Sequence, residues 1–384
     1  MYTPGEDVYG TPEHQAFRET VHKFVQTELA PRAREFDQMG RIDKSLYPKM
    51  GALGFLGIRY DPKYGGLGLD YSYQAIFLEE LAQADNAGVC MGISVQTDMA
   101  TPALARFGSD ELKKKYLVPA IRGEHVAAIA VTEPSGGSDV ARIKTRAVRD
   151  GDQWVINGSK MYITNAATAD WLCLLAVTDP EAGYHGYSQI VVPTDSPGFS
   201  YQLLDKIGNR GSDTGLLFFD DMRVPVANTI GDPQRGFQQQ MMQFQDERMV
   251  PVVTAPVAAK QLWDITLKYC QERVVFGKPL AKMQVNQFKF VDMLTQITAA
   301  QEFAFRCIKQ MVRGENATLD ISMAKIFCTN MQFDVANTCV QLWGGAGYCW
   351  DNAAARAFVD SRLSMIGGGA DEVMKQVVAK MLQL

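Results

Sequence analysis

The stretch Thr132-Glu133-Pro134-Ser135-Gly136-Gly137-Ser138-Asp139 gathers the residue types most suited to holding a ligand. An apolar run with strand character, 126–131, leads into it, and a strand pair closed by Asp150-Gly151, a strong hairpin signal, follows it. Pro134 fixes φ and lacks an N–H. Gly136 and Gly137 let backbone come close to a ligand with no Cβ in the way, and Ser138 and Asp139 add short hydrogen-bonding side chains. Such a loop suits the presentation of N–H groups and hydroxyls to a flat polar ligand; taken alone it is equally an ordinary polar turn. Other chemistry-bearing residues are no more specific singly. Arg273 after Glu272 reads as a surface ion pair, Phe276 as core, and Gly344-Gly345-Ala346-Gly347 as a helix C-cap. With four His and seven Cys, none in a CxxC pair, metal and disulfide readings are both weak and a reducing compartment fits.

The elements that must position these residues fall into three blocks. A helix is expected from Thr11, with Pro12 at its first position and Glu13 in its first turn. Phe17, Val21, Phe24, Val25 and Leu29 share one face of it, and Pro31 stops or bends it. Helices over 47–56, 71–84 and 112–122 complete an α-helical first block, with Tyr64-Gly65-Gly66-Leu67-Gly68 as a flexible turn. From about Val126 the period changes to two. Strands are expected over 144–149, 153–157, 171–177, 187–192 and 215–219, and this block ends near Pro225. The helical period then returns, over 236–272, 285–313, 322–343, 353–361 and 371–382.

The 384 residues suffice for two or three domains and a large core. A hydrophobic fraction of 47% and a charged fraction of 21% mark a soluble globular chain. A net charge of −5 argues against nucleic acid or an anionic membrane as partner. No apolar run approaches the ~20 residues that span a bilayer, and residues 1–7 carry no basic leader, so a cytoplasmic location is expected.

The α, β, α order and six separated motifs resemble the acyl-CoA dehydrogenase family of flavoproteins over about 11–382. The motifs are Tyr64 to Gly68, Thr132 to Asp139, Lys160-Met161-Tyr162-Ile163-Thr164-Asn165, Arg223-Val224-Pro225, Arg273 to Leu280 and Gln341 to Tyr348. The resemblance implies an α+β multidomain chain: an N-terminal α-helical domain (1–124), a middle β-barrel or sandwich domain (125–233) and a C-terminal four-helix-bundle domain (234–384). It implies FAD as cofactor, with no metal. Ile129, Val131, Thr132, Gly137 and Ser138 would line the isoalloxazine and pyrophosphate, and Thr164 would place its hydroxyl near flavin N5. Tyr162 stands where the family usually has Trp; it keeps a stacking face but adds an O–H that needs a partner. Arg273, Phe276, Gln341 and Gly345 would reach the FAD of a neighbouring subunit, which implies a homotetramer built as a dimer of dimers. The Arg273 fork suits phosphate oxygens.

The reaction implied is α,β-dehydrogenation of an acyl-CoA thioester to the 2-enoyl-CoA, with an electron-transfer flavoprotein as acceptor. A base must take the α-proton while the thioester carbonyl is polarised. Many family members carry a Glu in the loop before the last helix, where this chain has Gly368 within Met365-Ile366-Gly367-Gly368-Gly369-Ala370-Asp371-Glu372. The isovaleryl and long-chain branches place the Glu on an earlier helix just before an Arg, which here gives Glu247-Arg248. Glu247 is therefore the expected base, Gly368 the N–H donor to the thioester oxygen, and Arg248 and Ser138 further substrate contacts. The alternative for Glu247 is a solvated helix residue paired with Arg248 or Lys260. Pro251, four positions on, withholds the N–H that would bond the Glu247 carbonyl, and local rules tend to be broken at functional sites. The expected substrate is a medium-to-long or β-methyl-branched acyl-CoA, with citronellyl-CoA as the leading single candidate. An O2-using acyl-CoA oxidase ranks below it, because the extra C-terminal helical domain of those enzymes is missing. A non-catalytic flavoprotein relative also ranks below it, because Glu247 is present and no basic extension is.

Overall fold

The computed structural model of the chain describes residues 6–384; residues 1–5, part of the stretch read for a leader, lie outside them. The first long helix, Pro12–Phe24, begins as the sequence predicts, with the Thr11 side chain accepting from the His14 N–H at 3.3 Å. It continues through a π turn, Val25–Leu29, and a 3-10 turn, Ala30–Arg32, so Pro31 bends the path. Asp70 caps Tyr71–Leu81 and Asn86 caps Ala87–Ser94. The latter runs on through the π turn Val95–Ala100 into Thr101–Phe107. Sequence periodicity is mute over this last segment because it is buried nearly all round, from Val89 and Ile93 to Ala103 and Leu104, so no apolar stripe stands out.

The middle of the chain is one seven-stranded sheet. Its strands are β1 (Ala127–Ala130), β2 (Arg146–Asp150), β3 (Gln153–Thr164), β4 (Trp171–Val177), β5 (Tyr187–Pro193), β6 (Phe199–Leu203) and β7 (Thr214–Pro225). β4 runs parallel to β1 and antiparallel to β5, while β2, β3, β7 and β6 follow as antiparallel neighbours. β3 is far longer than the expected 153–157. Gly158, Ser159 and Lys160 break the apolar alternation, yet the strand passes through two register shifts against β7 and reaches Thr164. β6, an exposed edge strand, has too little apolar signal to be read.

Five helices make up the remainder: Gly236–Glu272, Gln284–Val312, Thr318–Trp343, Ala353–Ser364 and Asp371–Met381. The first, at 37 residues, passes unbroken through Pro251 and Pro256. Residue 251 has no N–H for the Glu247 carbonyl, and the helix survives because its flanks are buried: Met249, Val250, Val252 and Val253 enter a core shared with the sheet and with Tyr71, Ala75 and Leu78. A second core, from Ala255 to Leu342, fills the space among the bundle helices.

Candidate active site

β1 ends at Ala130 and delivers Val131 and Thr132 to the loop. The loop is held from beneath by Glu133, which sequence reasoning did not single out. Its carboxylate accepts from the Lys144 N–H at 2.6 Å, the Thr145 N–H at 2.9 Å and the Lys160 ammonium at 2.9 Å. Lys160 also donates to the Val131 carbonyl at 2.8 Å. Burial pushes the Lys160 ammonium down to about 8, against the pull of Glu133. The Met161 N–H donates to the Thr132 carbonyl at 2.8 Å, so β3 is tied to the same loop. Gly137 closes over Thr132: a Cβ there would lie 3.3 Å from the Thr132 methyl. Ser138 is exposed, while Ile129 and Thr132 are half-buried.

Tyr162 sits within the second register shift of β3, with φ at +61° and 64% of its surface exposed. A left-handed aromatic residue held out from a sheet is strained and apolar surface is wasted on water. Thr164, two residues on, is half-buried at the end of the strand, opposite Thr214. Together these residues present a flat ring, a hydroxyl and a small-residue loop near the C-terminal ends of β1 and β3, which fits a planar cofactor with a pyrophosphate tail.

The second group lies on the long helix. Phe244, one turn before Glu247, packs against the cluster of Val131, Ile143, Leu175 and Tyr187 and so joins the helix to the core beneath the loop. Glu247 sits deep among the helices but is only half-buried, because part of it faces open space. Its carboxylate makes no hydrogen bond or ion pair among the described residues. The expected alternative partner, Lys260, is engaged by Asp264 at 2.7 Å. Burial pushes the Glu247 carboxyl up to about 7, against the opposing charges of Arg248 and Lys325. Arg248 is almost enclosed, with its guanidinium 5.6 Å from the Phe244 ring and its Nε unpaired.

Gly368 comes to the same point from another chain segment. Its φ is +65°, and a Cβ built on it would lie 3.5 Å from Glu247 Oε1 and 3.7 Å from Lys325 Cε. Its N–H meets no acceptor among the described residues. The carboxyl of Glu247 therefore occupies the space that a side chain at 368 would enter. Of the other acidic residues of this loop, Asp371 accepts from the Asn330 amide at 2.7 Å, and Glu372 is exposed.

Acidic and basic groups that the sequence did not reveal hold the helix in place. Asp246 accepts from Arg59 at 2.8 Å and pairs with Arg106 at 2.6 Å. Asp98 lies 3.9 Å from Arg59, and burial pushes its carboxyl up to about 7 despite that cation.

The third group is remote. Arg273 and Phe276 stand on a short hairpin, Val274–Val275 with Lys278–Pro279, whose turn has positive φ at both Phe276 (+50°) and Gly277 (+78°). Phe276 is 95% exposed and Arg273 is exposed too, with no ion pair to Glu272. Trp343, stacked on Tyr269 at 3.8 Å, brings Gln341 and Gly345 to this same end of the bundle. Along the helix axis, Glu247 and Arg273 are separated by 26 residues, about 39 Å.

Three family models cover the chain. The acyl-CoA dehydrogenase N-terminal domain matches residues 11–124, its middle domain 128–222 and its C-terminal domain 234–383. The chain belongs to the acyl-CoA dehydrogenase family. These are FAD-dependent oxidoreductases, and the loop, Tyr162 and Thr164 fit that cofactor. The mitochondrial long-chain specific acyl-CoA dehydrogenase of Sus scrofa is 37% identical over 96% of this chain and 86% of its own. The mitochondrial isovaleryl-CoA dehydrogenase of Oryza sativa is 33% identical over 100% of this chain and 94% of its own. The crystal structure of an acyl-CoA dehydrogenase from Geobacillus kaustophilus has a TM-score of 0.95 at 38% identity, covering 98% of this chain and 100% of that one. The same family assignment accounts for the helical first and last parts and the curled middle sheet.

Proposed function

We propose that this acyl-CoA dehydrogenase removes the α-proton of its thioester with Glu247 and acts on a medium-to-long or β-methyl-branched acyl chain. One observation carries the reading: the Glu247 carboxylate and the Gly368 backbone converge on one point. A base that other members hold on the loop is here delivered by the helix. The carboxyl is free of partners and has a proton affinity near neutrality, which suits a general base. The unpaired Gly368 N–H is a donor for the thioester oxygen where negative charge develops. The buried, unpaired Nε of Arg248 supports a substrate contact on the same wall. Bound FAD supplies the hydride acceptor for the β-carbon. Ile129, Val131, Thr132, Gly137, Ser138, Tyr162 and Thr164 are assigned to hold it.

Arg273, Phe276, Gln341 and Gly345 are assigned to the FAD of a second subunit in a homotetramer. The separation of about 39 Å along the helix between Glu247 and the exposed Arg273 supports this, because it sets Arg273 far from the proposed base. Exposed Val285, Phe288 and Val291, spaced by three on the helix Gln284–Val312, add an apolar stripe that a partner would cover.

The relatives named for long-chain and isovaleryl substrates support the acyl preference, since three glycines, 367–369, leave the loop side of the pocket without side chains. Citronellyl-CoA, β-methyl-branched and of medium length, is the leading candidate. A solved structure described as the electron transferring flavoprotein of Acidaminococcus fermentans, 34% identical with a TM-score of 0.93, supports that class of acceptor. No described helix is long and apolar enough to cross a membrane, in keeping with the proposed cytoplasmic location.

The test is kcat/KM for butyryl-, octanoyl-, isovaleryl- and citronellyl-CoA, with an electron-transfer flavoprotein and O2 as alternative acceptors. A tenfold or greater preference for butyryl-CoA over every longer or branched thioester, about 1.4 kcal/mol in the barrier, overturns the substrate reading. Loss of flavin absorbance on anaerobic addition of a thioester separates an active dehydrogenase from a non-catalytic relative.

A further inference from the structure

We infer that Lys325 is a positioning residue for α-proton removal: its ammonium fastens the glycine loop to the helix Thr318–Trp343 and sets a fixed positive charge beside the Glu247 carboxylate. The inference rests on Glu247 being the base.

Lys325 is fully buried. Its Nζ donates to the Ser364 carbonyl at 2.9 Å and to the Gly369 carbonyl at 2.8 Å. Those two carbonyls bracket the turn that carries Gly367 and Gly368. Cross-linking them through one nitrogen fixes where the Gly368 N–H points. The same side chain runs past the turn, its Cε 3.7 Å from where a Cβ on Gly368 would stand, with the Glu247 carboxylate 3.5 Å from that same point. One residue thus touches the donor loop and faces the base, without an ion pair that would occupy the carboxylate.

The charged groups around Glu247 are few. Its own helix offers Arg248, and Asp246 turned away to Arg59 and Arg106. The last helix offers Asp371, bound to Asn330. The glycine loop offers none, and the facing helix offers Lys325. Burying an ammonium is costly; two carbonyls could be satisfied by a neutral donor. The charge matters because the carboxylate beside it must exist in ionised form to act. Burial pushes the ammonium down to about 8, while the charges of Asp371 and Glu247 oppose that shift.

The test uses flavin-loaded Lys325→Met and Lys325→Arg beside wild type and Glu247→Gln. FAD content, thermal stability and the pH profile of kcat/KM are read for each. Removing the positive charge disfavours the Glu247 carboxylate, so in Lys325→Met the acidic limb moves to higher pH by roughly half a unit or more. Its kcat falls by about tenfold or more as the Gly368 N–H loses its anchor, with KM changed far less. Lys325→Arg keeps the limb close to wild type. If Lys325→Met does not accumulate folded, Lys325→Gln, which retains a donor for one carbonyl, gives the same reading. A flavin-loaded neutral variant whose acidic limb coincides with wild type overturns the inference, whatever its kcat. Turnover retained by Glu247→Gln overturns the base assignment and this inference with it. An inactive Glu247→Gln together with an unmoved limb in Lys325→Met overturns this inference alone.

Discussion

Glu247 concentrates the consequences at the scale of single residues. As the proposed α-proton acceptor it must be ionised, so kcat/KM should rise through an acidic limb near pH 7. Glu247→Gln should fold, keep FAD and bind thioester, with turnover down by at least ~10³; near-wild-type turnover in the flavin-loaded variant would place the base elsewhere. The same carboxyl costs stability. Its folded value of about 7 lies above the ordinary 4.5, so the folded state binds the extra proton between those values, and stability falls as pH rises through that window. Glu247→Gln should therefore melt higher than wild type by roughly 1–3 °C at about pH 8.5, and the gap should close toward about pH 5. Gly368 carries a different expectation. A methyl at φ +65° is strained and would stand 3.5 Å from Glu247 Oε1. Gly368→Ala should lower kcat/KM for a β-methyl-branched thioester more than for a straight one, by about tenfold, the size of one lost methyl-sized space. Equal losses on both would show that the branch lies elsewhere. Glu247, Gly368 and Thr164 were legible in the chain because motifs name them. The pairing of Glu133 with Lys160 and the place of Lys325 were not, because a buried ion pair and an ammonium on two carbonyls have no local spacing to reveal them.

The decisive element is the helix Gly236–Glu272. Two prolines should interrupt it, each at ~3 kcal/mol in an isolated helix. It continues unbroken because residues flanking Pro251 are buried in the core and Asp246, just before them, is pinned to Arg59 and Arg106. Removing one member of such a buried cluster leaves the remaining charges uncompensated. Arg59→Met should therefore destabilise the protein by about 3 kcal/mol, read as a lower melting temperature of the flavin-loaded enzyme. An unchanged melt would mean that Arg106 alone satisfies Asp246. Strand β3 teaches the converse lesson. Its alternation is broken at Gly158 and Lys160, so local pattern ends it early, yet pairing with β7 carries it to Thr164 and a bulge turns Tyr162 outward.

At the scale of the molecule, the long helix sets two ends apart. Glu247 lies at the end near the sheet and Arg273 at the other, about 39 Å away. Phe276 and Tyr348 are exposed, which is in keeping with the proposed second subunit. Arg273→Ala should lose FAD and weaken the oligomer together, measured as the flavin-to-protein absorbance ratio and by sedimentation. A variant that stays fully flavinated and assembled rules out the assignment of Arg273 to a neighbour's cofactor.

The amino-acid order by itself determined the α, β, α succession and the loop from Thr132, because hydrophobic period and glycine content are local properties. Through resemblance it also pointed to Glu247 in place of a loop carboxylate. Only the tertiary structure decided that Glu247 and Gly368, 121 positions apart, share one point in space. Only it showed that Lys325 comes close to the same point, that Arg59 braces the helix through Asp246, and that Arg273 lies about 39 Å along the helix from Glu247. Those facts depend on how separate helices pack, and packing is a property of surfaces that meet from distant parts of the sequence.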